Sequence, residues 1–370
     1  MIAWLLISFF VLLFLGVPIA MSLGLSAMGG ILFLGGGSTV TIAQRMFEGM
    51  NSFALLAIPL YTFAGFTMSK GGISKRLMDF CYSIVGHIYG GLAHVNVLSS
   101  MIFAGISGSA VADTAGVSGM FMPEMIRKGY SKNFTVAVTA ISSTIGIIIP
   151  PSIPMVVIAG ICGISTGKLF LGGIIPGILC GLAQMIVSYF LAKKEGVPKE
   201  PGHFTIGPVL HGLWESWPAL LMPIIIVGTI TMGIVSPTEA GVIAVVYGLF
   251  AGGIIYRELK WEDIKFAFAE TVRTSGRIFI VIGAAKLYTV MLTTAGFDKW
   301  VAKTMLGFST NPTVILIMIL LIFFIVTMFM ESIATLTLFM PILYPIALGV
   351  GINPIVLSVL ITVVIGVGLV

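Results

Sequence analysis

Residues 105–113 read Gly-Ile-Ser-Gly-Ser-Ala-Val-Ala-Asp, and this stretch decides which fold the chain can adopt. It places two glycines, two serines and one carboxylate inside one of the most apolar parts of the chain. In hydrocarbon, unpaired backbone groups and exposed polar side chains are costly, so such a stretch persists only where it is buried in protein or lines an aqueous cavity. We therefore predict that it contributes to a site for an ion or a substrate.

The composition around this stretch is that of an integral membrane protein. Of the 370 residues, 58% are hydrophobic and 9% are charged, whereas about 25% of a soluble domain is charged. The apolar runs are long and rarely alternate with polar residues, which predicts helices rather than barrel strands. The first run, residues 2–15, lacks a basic segment before it and leads into another apolar run, so we expect a retained helix rather than a cleaved signal peptide. The predicted fold is all-α, polytopic and membrane-embedded.

Charge and cysteine usage argue against several other classes of protein. The net charge of +5 is spread over short loops between apolar runs, so it indicates orientation in the bilayer rather than nucleic-acid binding. Cys81, Cys162 and Cys180 are separated and lie in apolar surroundings, which argues against a disulfide framework, a zinc site or a redox motif. There is no Walker A motif, so ATP hydrolysis is not expected.

Candidate membrane-spanning runs are predicted at residues 2–16, 18–36, 52–69, 134–164, 168–192, 218–236, 239–256, 277–296 and 355–370. Two further regions, 91–124 and 313–348, each hold two apolar arms around a polar point. An arm of about 15 residues is roughly 23 Å long as a helix, which is short of the ~20 residues needed to cross. We interpret both regions as re-entrant helical hairpins whose tips stop inside the membrane.

The two halves of the sequence share short motifs in the same order: Leu60-Tyr61-Thr62 with Leu287-Tyr288-Thr289, Gly72-Ile73-Ser74-Lys75 with Gly296-Phe297-Asp298-Lys299, and Phe121-Met122-Pro123 with Phe339-Met340-Pro341. An odd number of predicted crossings separates the hairpins, which predicts an inverted-topology repeat. The same topology puts most Lys and Arg residues on one side, which should be cytoplasmic. The first hairpin then enters from the cytoplasm and the second from outside.

This topology divides the chain into four predicted parts. Residues 1–51 are N-terminal scaffold helices, and residues 52–165 are the first repeat with its hairpin. Residues 166–276 are connecting and scaffold helices with cytoplasmic loops at 193–217 and 257–276, and residues 277–370 are the second repeat. Residues 73–90 and 297–310 are expected to be amphipathic arms at the interface.

The first chemical constellation combines the tip of the first hairpin with a proline-rich break in the span 134–164. Because proline removes an N–H donor and disfavours helix in the residue before it, residues 147–154 cannot continue a helix. The break frees carbonyl oxygens near mid-membrane, and serine hydroxyls can complete an all-oxygen cage for a hard cation such as sodium. The alternative is a proline-kinked packing helix with small residues easing close contact. The residues concerned are Ser107, Gly108, Ser109, Gly146, Ile149 and Pro150.

Four other polar residues stand in apolar surroundings. Asp113 could balance a cation or carry a proton, or it could cap a helix or hold the tip. Glu331, with Ser332, could serve a second cation site or pair with a basic group. Lys286 lies within span 277–296, where a functional and a structural role are both open. By contrast, Ser236-Pro237-Thr238-Glu239 is best explained as a helix capping box.

These residues resemble those of a known family, the large membrane subunit of tripartite ATP-independent periplasmic (TRAP) transporters within the wider ion-transporter superfamily. The resemblance covers essentially the whole chain and is most specific at Ala57-Ile58-Pro59-Leu60, residues 105–113, Ile149-Pro150-Pro151-Ser152 and Ser236-Pro237-Thr238-Glu239-Ala240. It implies a bacterial or archaeal inner-membrane protein that works with a small four-helix membrane subunit and a periplasmic substrate-binding protein. It also implies sodium-driven symport of organic anions such as carboxylates and acidic sugars by an elevator mechanism.

Carried over residue by residue, the resemblance assigns a first sodium site to the tip and break residues named above. It draws a second site from Met330, Glu331, Ser332 and Gly366, and it leaves Asp113, Ser152 and Lys286 as candidates for substrate binding or coupling. In the family a second proline-containing break interrupts the last repeat helix. The corresponding step here reaches Gly368, and the sequence stops at Val370 before such a proline. We therefore expect a C-terminally truncated chain with an incomplete second site.

Three hypotheses follow for function. The first is sodium-coupled uptake of an organic anion. The second keeps the fold but couples transport to protons through Asp113 or Glu331. The third is an intramembrane enzyme or a non-transporting scaffold, against which the absence of a helically spaced catalytic dyad argues.

Overall fold

A computed structural model describes residues 1–35, 38–197 and 204–370, and its regular structure over those residues is helical throughout, without β-strands. This confirms the all-α prediction. In chain order the α-helices are α1 Ile2–Phe14, α2 Ile19–Leu34, α3 Thr39–Met50, α4 Ala57–Lys70, α5 Ile73–Val85, α6 Gly91–Ser107, α7 Ala110–Arg127, α8 Lys132–Ser143, α9 Ile153–Cys162, α10 Thr166–Lys194, α11 Ile206–Thr231, α12 Pro237–Phe250, α13 Trp261–Thr294, α14 Phe297–Phe308, α15 Pro312–Thr327, α16 Ser332–Gly349 and α17 Pro354–Gly368.

Within the described residues, six helical segments are long and apolar enough to cross a bilayer. They are Phe53–Lys70, Thr166–Lys194, Ile206–Thr231, Pro237–Ile255, Trp261–Thr294 and Ser332–Gly349. Several shorter apolar helices accompany them, including the first arm of each hairpin, Gly91–Ser107 and Pro312–Thr327, and the helix after the proline break, Ile153–Cys162. The chain is therefore a polytopic helical membrane protein, as its composition predicts.

The helices pack into two compact units. Unit 1 contains residues 1–56, 154–165 and 274–369, and unit 2 contains residues 57–153 and 166–273 together with Val370. In unit 1 a core forms around Phe9, Leu23, Tyr288 and Leu338, and in unit 2 a core forms around Val95, Phe121 and Phe134. The division of the chain into scaffold and repeat domains stays a prediction.

The helical arms of both hairpins occur where the sequence predicts them, but the second arm of the second hairpin, Ser332–Gly349, is long and apolar enough to cross a bilayer, which differs from the predicted short arm. In unit 2, α6 and α7 are separated only by Gly108 and Ser109. In unit 1, α15 and α16 are separated by residues 328–331. The direction from which each hairpin enters the membrane stays a prediction, as does the inverted relation between the halves.

Equivalent positions in the two halves adopt the same local structure. Gly72 and Gly296 both have left-handed backbones, with φ of 79° and 80°, and each begins a short helix, α5 or α14. The phenol of Tyr61 donates a 2.9 Å hydrogen bond to the Pro237 carbonyl in unit 2. In the same way, the phenol of Tyr288 donates a 2.8 Å bond to the Leu5 carbonyl in unit 1. The shared motifs therefore adopt equivalent conformations and make equivalent hydrogen bonds, which supports an internal repeat.

The predicted span 134–164 is broken at its middle. Helix α8 ends at Ser143, a 3₁₀ turn covers Thr144–Ile147, and α9 begins at Ile153. The peptide bond between Pro150 and Pro151 is cis. The Ser236–Glu239 capping box is also present as predicted: the Ser236 hydroxyl accepts from the Glu239 N–H at 3.3 Å, and the Glu239 carboxylate accepts from the Ser236 N–H at 2.6 Å.

Two boundaries differ from the predictions. Helix α11 begins at Ile206 and α13 at Trp261, so the predicted loops 193–217 and 257–276 are partly helical. Hydropathy does not detect these polar extensions of the two helices. Polar helical turns can be stabilised by pairs of side chains three or four residues apart. His211 and Glu215 lie 3.2 Å apart in α11, and Arg273 and Glu270 lie 2.6 Å apart in α13.

Helix α3 was not anticipated as a separate element. It is amphipathic, and the Ser38 side chain caps its first turn by accepting from the Val40 N–H at 3.3 Å. Such a short amphipathic helix lacks the long apolar run by which the spans were found. Residue 36 of the predicted span 18–36, and residues 198–203 of the predicted linker with Lys199, lie outside the described residues.

Candidate functional site

The tip of the first hairpin is formed by a glycine–serine pair. Helix α6 ends because Gly108 has a left-handed backbone with φ of 63°, which glycine adopts without steric cost. Ser109 is extended and begins α7, and its hydroxyl accepts from the Ala112 N–H at 3.4 Å. The two residues therefore reverse the chain between two helices and leave the tip without regular helical hydrogen bonds.

The tip lies directly against the proline break. The Gly108 carbonyl accepts a 3.1 Å hydrogen bond from the Ile153 N–H, at the start of α9. A Cβ added at Gly108 would lie 2.5 Å from the Pro151 carbonyl oxygen, and one added at Gly146 would lie 3.2 Å from the Ser109 carbonyl oxygen. Only glycine fits at Gly108 without movement of the backbone. The structure thus brings together the two segments that the sequence predicts to form one site.

The break exposes backbone oxygens that a continuous helix would use internally. Pro150 has no N–H, so it cannot donate to the Gly146 carbonyl four residues earlier. The Ile147 carbonyl likewise loses its helical donor at Pro151, and it accepts from the Ser152 hydroxyl at 2.5 Å instead. Ser152 is fully buried and holds the break in shape.

The remaining predicted ligands are positioned by neighbouring helices. Ser107 is fully buried, and its Cβ would lie 3.1 Å from a Cβ added at Gly65 of α4. The side chain of Ile149 packs on Gly177 of α10, where an added Cβ would lie 2.4 Å from its Cγ1. The group that Ile149 can offer to a cation is therefore its backbone carbonyl.

The tip and break offer neutral oxygens of serine hydroxyls and backbone carbonyls. Hard cations take such oxygen ligands, and unwound backbone in transporters binds sodium in this way. The residues of the tip and break carry no carboxylate, and the described part of the chain contains no cluster of three or more His, Cys, Asp or Glu residues that could hold a metal. This donor set suits a monovalent cation better than a divalent or transition metal.

Asp113 lies one turn beyond the tip, on α7. It is fully buried, and neither of its carboxylate oxygens has a hydrogen-bond partner among the described residues. Ser100 and Ser143 are its hydroxyl neighbours. Each of these hydroxyls also has another acceptor within reach, Ser142 at 3.2 Å from Ser100 and the Thr139 carbonyl at 2.8 Å from Ser143. Asp113 is thus a buried acid with two serine hydroxyls beside it.

A buried polar network adjoins this acid, and the sequence reasoning missed it. The Asn96 amide donates to the Thr139 hydroxyl at 2.8 Å and accepts from the Ser142 hydroxyl at 3.1 Å. Asn96 and Ser100 are four residues apart on α6, while Thr139 and Ser142 are three apart on α8. This helical spacing of polar residues within apolar helices is the sequence signal that could have predicted the network.

The second hairpin places Glu331 at the start of α16. Its carboxylate accepts from the Ile333 N–H at 2.9 Å and from the Ala334 N–H at 3.3 Å, and the Ser332 hydroxyl donates to it at 2.8 Å. Glu331 therefore caps a helix, a role that was not predicted from the sequence, and its part in a second cation site stays a prediction. Met330 beside it is buried.

The end of α17 packs against this hairpin. A Cβ added at Gly368 would lie 2.1 Å from the Thr327 hydroxyl oxygen and 3.1 Å from the Phe324 carbonyl oxygen. Gly366, two residues earlier on the same helix, is also buried. The position that corresponds to the first proline break, Gly368, thus lies beside the last turn of α15.

Lys286 is half-buried on α13. Its stem packs against α3, where a Cβ added at Gly49 would lie 2.6 Å from the lysine Cβ. It lies in unit 1, and the Ser107–Pro150 constellation lies in unit 2.

Comparison with known proteins places the chain among transporter subunits. Residues 6–370 match the family model described as "Tripartite ATP-independent periplasmic transporter, DctM component". The chain is 37% identical over 362 residues to the isethionate TRAP transporter permease protein DctMQ of Oleidesulfovibrio alaskensis, covering 98% of this chain and 57% of that protein. It is 36% identical to the sialic acid TRAP transporter large permease protein SiaM of Vibrio cholerae, covering 93% and 80%. It is also 36% identical to the C4-dicarboxylate TRAP transporter large permease protein DctM of Pseudomonas aeruginosa, covering 94% and 82%.

Proposed function

The chain belongs to the DctM component family of tripartite ATP-independent periplasmic transporters, and from that premise we propose that it moves an organic anion across the membrane together with sodium ions. It is a multi-pass membrane protein whose relatives are permeases rather than enzymes. Those relatives are named for isethionate, sialic acid and C4-dicarboxylates. The substrate class proposed here is accordingly a small organic anion, a carboxylate or an acidic sugar.

The contact of the first hairpin tip with the proline break carries the proposal of sodium coupling. Gly108 and Gly146 allow the backbones of the hairpin tip and the proline break to approach closely. The space between these two segments, which we call the cradle, is lined by carbonyl and hydroxyl oxygens. We assign the first sodium site to Ser107, Gly108, Ser109, Gly146, Ile149 and Pro150. Binding there would hold the tip against the break, which couples the ion to the position of the hairpin.

A second sodium site is proposed at the tip of the second hairpin. Backbone oxygens around Met330, Glu331 and Ser332 and at Gly366 would supply its ligands. The capping bonds of Glu331 support this assignment indirectly, since they fix the first turn of α16 and hence the geometry of the tip. The Glu331 carboxylate is then a positioning group rather than a ligand.

The proposed setting is a bacterial inner membrane. A small four-helix membrane subunit would accompany the chain, and a periplasmic substrate-binding protein would deliver the anion. In the relative named DctMQ the matching segment is 57% of the protein, which leaves room for a second component in one polypeptide. We propose an elevator movement in which the hairpins and broken helices carry the anion past a scaffold.

Proton coupling is the second candidate function, and the burial of Asp113 favours it. A buried carboxyl without a hydrogen-bond partner is stable when neutral or when a cation lies beside it. A proton could therefore replace sodium as the coupling ion at this position. The two candidates differ in the gradient that drives uptake.

Uptake into proteoliposomes separates these candidates. The protein is reconstituted with its small membrane subunit and binding protein, and uptake of radiolabelled succinate, N-acetylneuraminate and isethionate is measured under an imposed sodium gradient or an imposed proton gradient. We expect sodium to drive uptake of at least one of these anions, while a proton gradient at equal sodium on both sides does not. Uptake that follows the proton gradient and ignores sodium would refute sodium coupling and select proton coupling.

A further inference from the structure

A cavity in unit 1 is lined by a lysine from the last third of α13. Its volume is about 250 Å³, and its lining includes Glu48, Ser52, Val157, Ile161, Lys286 and Thr337. All of these residues belong to unit 1. We call this space the Lys286 cavity. A space of this size accommodates a small molecule or the acidic end of a larger one.

The lysine stem is held in place by a close contact between α3 and α13. A Cβ added at Gly49 would lie 2.6 Å from the Lys286 Cβ and 3.0 Å from its Cγ. A Cβ added at Gly283, one turn earlier on α13, would lie 3.1 Å from the Met46 carbonyl oxygen. The first carbons of the lysine stem are therefore fixed against α3, and the residue as a whole lines the cavity.

Lys286 makes no ion pair with another described residue. No ion pair or hydrogen bond joins it to another side chain in that part of the protein. Glu48 is the acidic residue of the cavity lining, and it is already paired with Arg45 at 2.8 Å. An unpaired cation in a membrane-embedded segment is costly, so residues of this kind mark binding sites.

The other lining groups suit the body of an organic acid. The Ser52 hydroxyl makes no hydrogen bond with the described residues, so it can donate to an anion. Thr337 cannot do so, because its proton goes to the Ile333 carbonyl at 2.8 Å. Val157 and Ile161 give the cavity an apolar wall. One cation, one free hydroxyl and an apolar wall match a small molecule with an acidic group and a short carbon body.

We propose that the Lys286 cavity binds the acidic group of the transported organic anion, with the Lys286 ammonium as counter-ion and the Ser52 hydroxyl as hydrogen-bond donor. This inference rests on the proposed function, since it names where that function holds its substrate. A point charge on a flexible stem also suits a family whose members are named for chemically different acids, because it demands an anion rather than one bidentate geometry.

Substitution of the lysine tests this role. In the reconstituted complex, Lys286→Gln should raise the KM for the transported anion at least about tenfold, as expected when one partner of a desolvated charge pair is removed. The sodium concentration at half-maximal uptake should stay unchanged, and Lys286→Arg should restore much of the affinity. Lys303→Gln, which removes an exposed positive charge from α14 of the same unit, is the matched control and should behave as the unsubstituted protein.

A measurement on the unsubstituted protein covers the case in which Lys286→Gln does not fold. Acylation of Lys286 by an amine reagent, quantified by peptide mass spectrometry, should be slowed by whichever of succinate, N-acetylneuraminate or isethionate is taken up, while acylation of Lys303 should not change. An unaltered KM in Lys286→Gln, or equal acylation of Lys286 with and without the anion, would overturn the inference and leave sodium-coupled transport standing. If the unsubstituted complex takes up none of these anions under a sodium gradient, the proposed function fails and this inference fails with it.

Discussion

Replacement of Gly108 by alanine tests how closely the first hairpin tip meets the proline break. The residue has φ of 63°, a region that costs an L-residue about 1–2 kcal/mol. The added Cβ would also lie 2.5 Å from the Pro151 carbonyl oxygen, a backbone atom that cannot rotate away. Overpacking of this kind costs about 1–3 kcal/mol. We therefore expect Gly108→Ala to lose about 2–5 kcal/mol in the state that has the tip against the break.

Sodium binding should weaken in the same variant. If alanine separates the tip from the break, the Gly108–Ile153 hydrogen bond of 3.1 Å is lost, and the cradle opens. A loss of about 1.4 kcal/mol reduces affinity tenfold, so the lower bound above already predicts a change of more than tenfold. Thermal unfolding in detergent, recorded with and without sodium, measures both effects, since a ligand stabilises the folded protein by an amount that rises with the logarithm of its concentration divided by its Kd.

Gly119 provides a matched control in the same hairpin. It lies in α7, and a Cβ added there meets nothing within 4 Å. Gly119→Ala should therefore leave sodium binding unchanged and should stabilise the helix by about 0.5–1 kcal/mol. If Gly108→Ala is as stable as Gly119→Ala and keeps the same sodium response, the close contact of tip and break is wrong.

Three further substitutions check other parts of the account by thermal unfolding. Tyr61→Phe and Tyr288→Phe should each cost about 1 kcal/mol, because each removes one interhelical hydrogen bond of the repeat; a cost in only one of them would contradict their equivalence. Asn96→Ala should cost about 1–3 kcal/mol, since it strands buried hydroxyls, and an unaltered melting temperature would show that the network carries no stability. Ser109→Ala and Ser131→Ala both remove a helix cap worth about 1 kcal/mol, but only Ser109→Ala should change sodium binding; equal sodium responses would remove Ser109 from the site.

The polar interruptions were predictable because each conflicts with an apolar setting. Gly108 and Ser109 between two short apolar arms indicated a hairpin tip, and Pro150 with its neighbours indicated a broken helix. Proline and glycine act through local backbone chemistry, so their effect can be inferred without knowing the tertiary contacts. The Ser236–Glu239 capping box was predictable for the same reason.

Features that depend on packing were not predictable in this way. The sequence left a cation site or an ion pair open for Glu331, and the structure adds its role as the cap of α16, which the sequence did not predict. The network around Asn96 joins α6 to α8 across more than forty residues of sequence, a pairing that periodicity does not reveal. Lys286 was a candidate by hydropathy, but its cavity requires Gly49 and Ser52 of another segment, whose proximity only the fold supplies.

The central claim is that the tip of the first hairpin and the proline break bind sodium. Equilibrium binding of ²²Na⁺ to the purified protein tests it most directly, with Gly108→Ala and Gly119→Ala measured beside the unsubstituted chain. We predict saturable binding that potassium does not displace, that persists in Gly119→Ala and that weakens by more than about tenfold in Gly108→Ala. Absence of saturable binding, or equal binding by both variants, would contradict the claim.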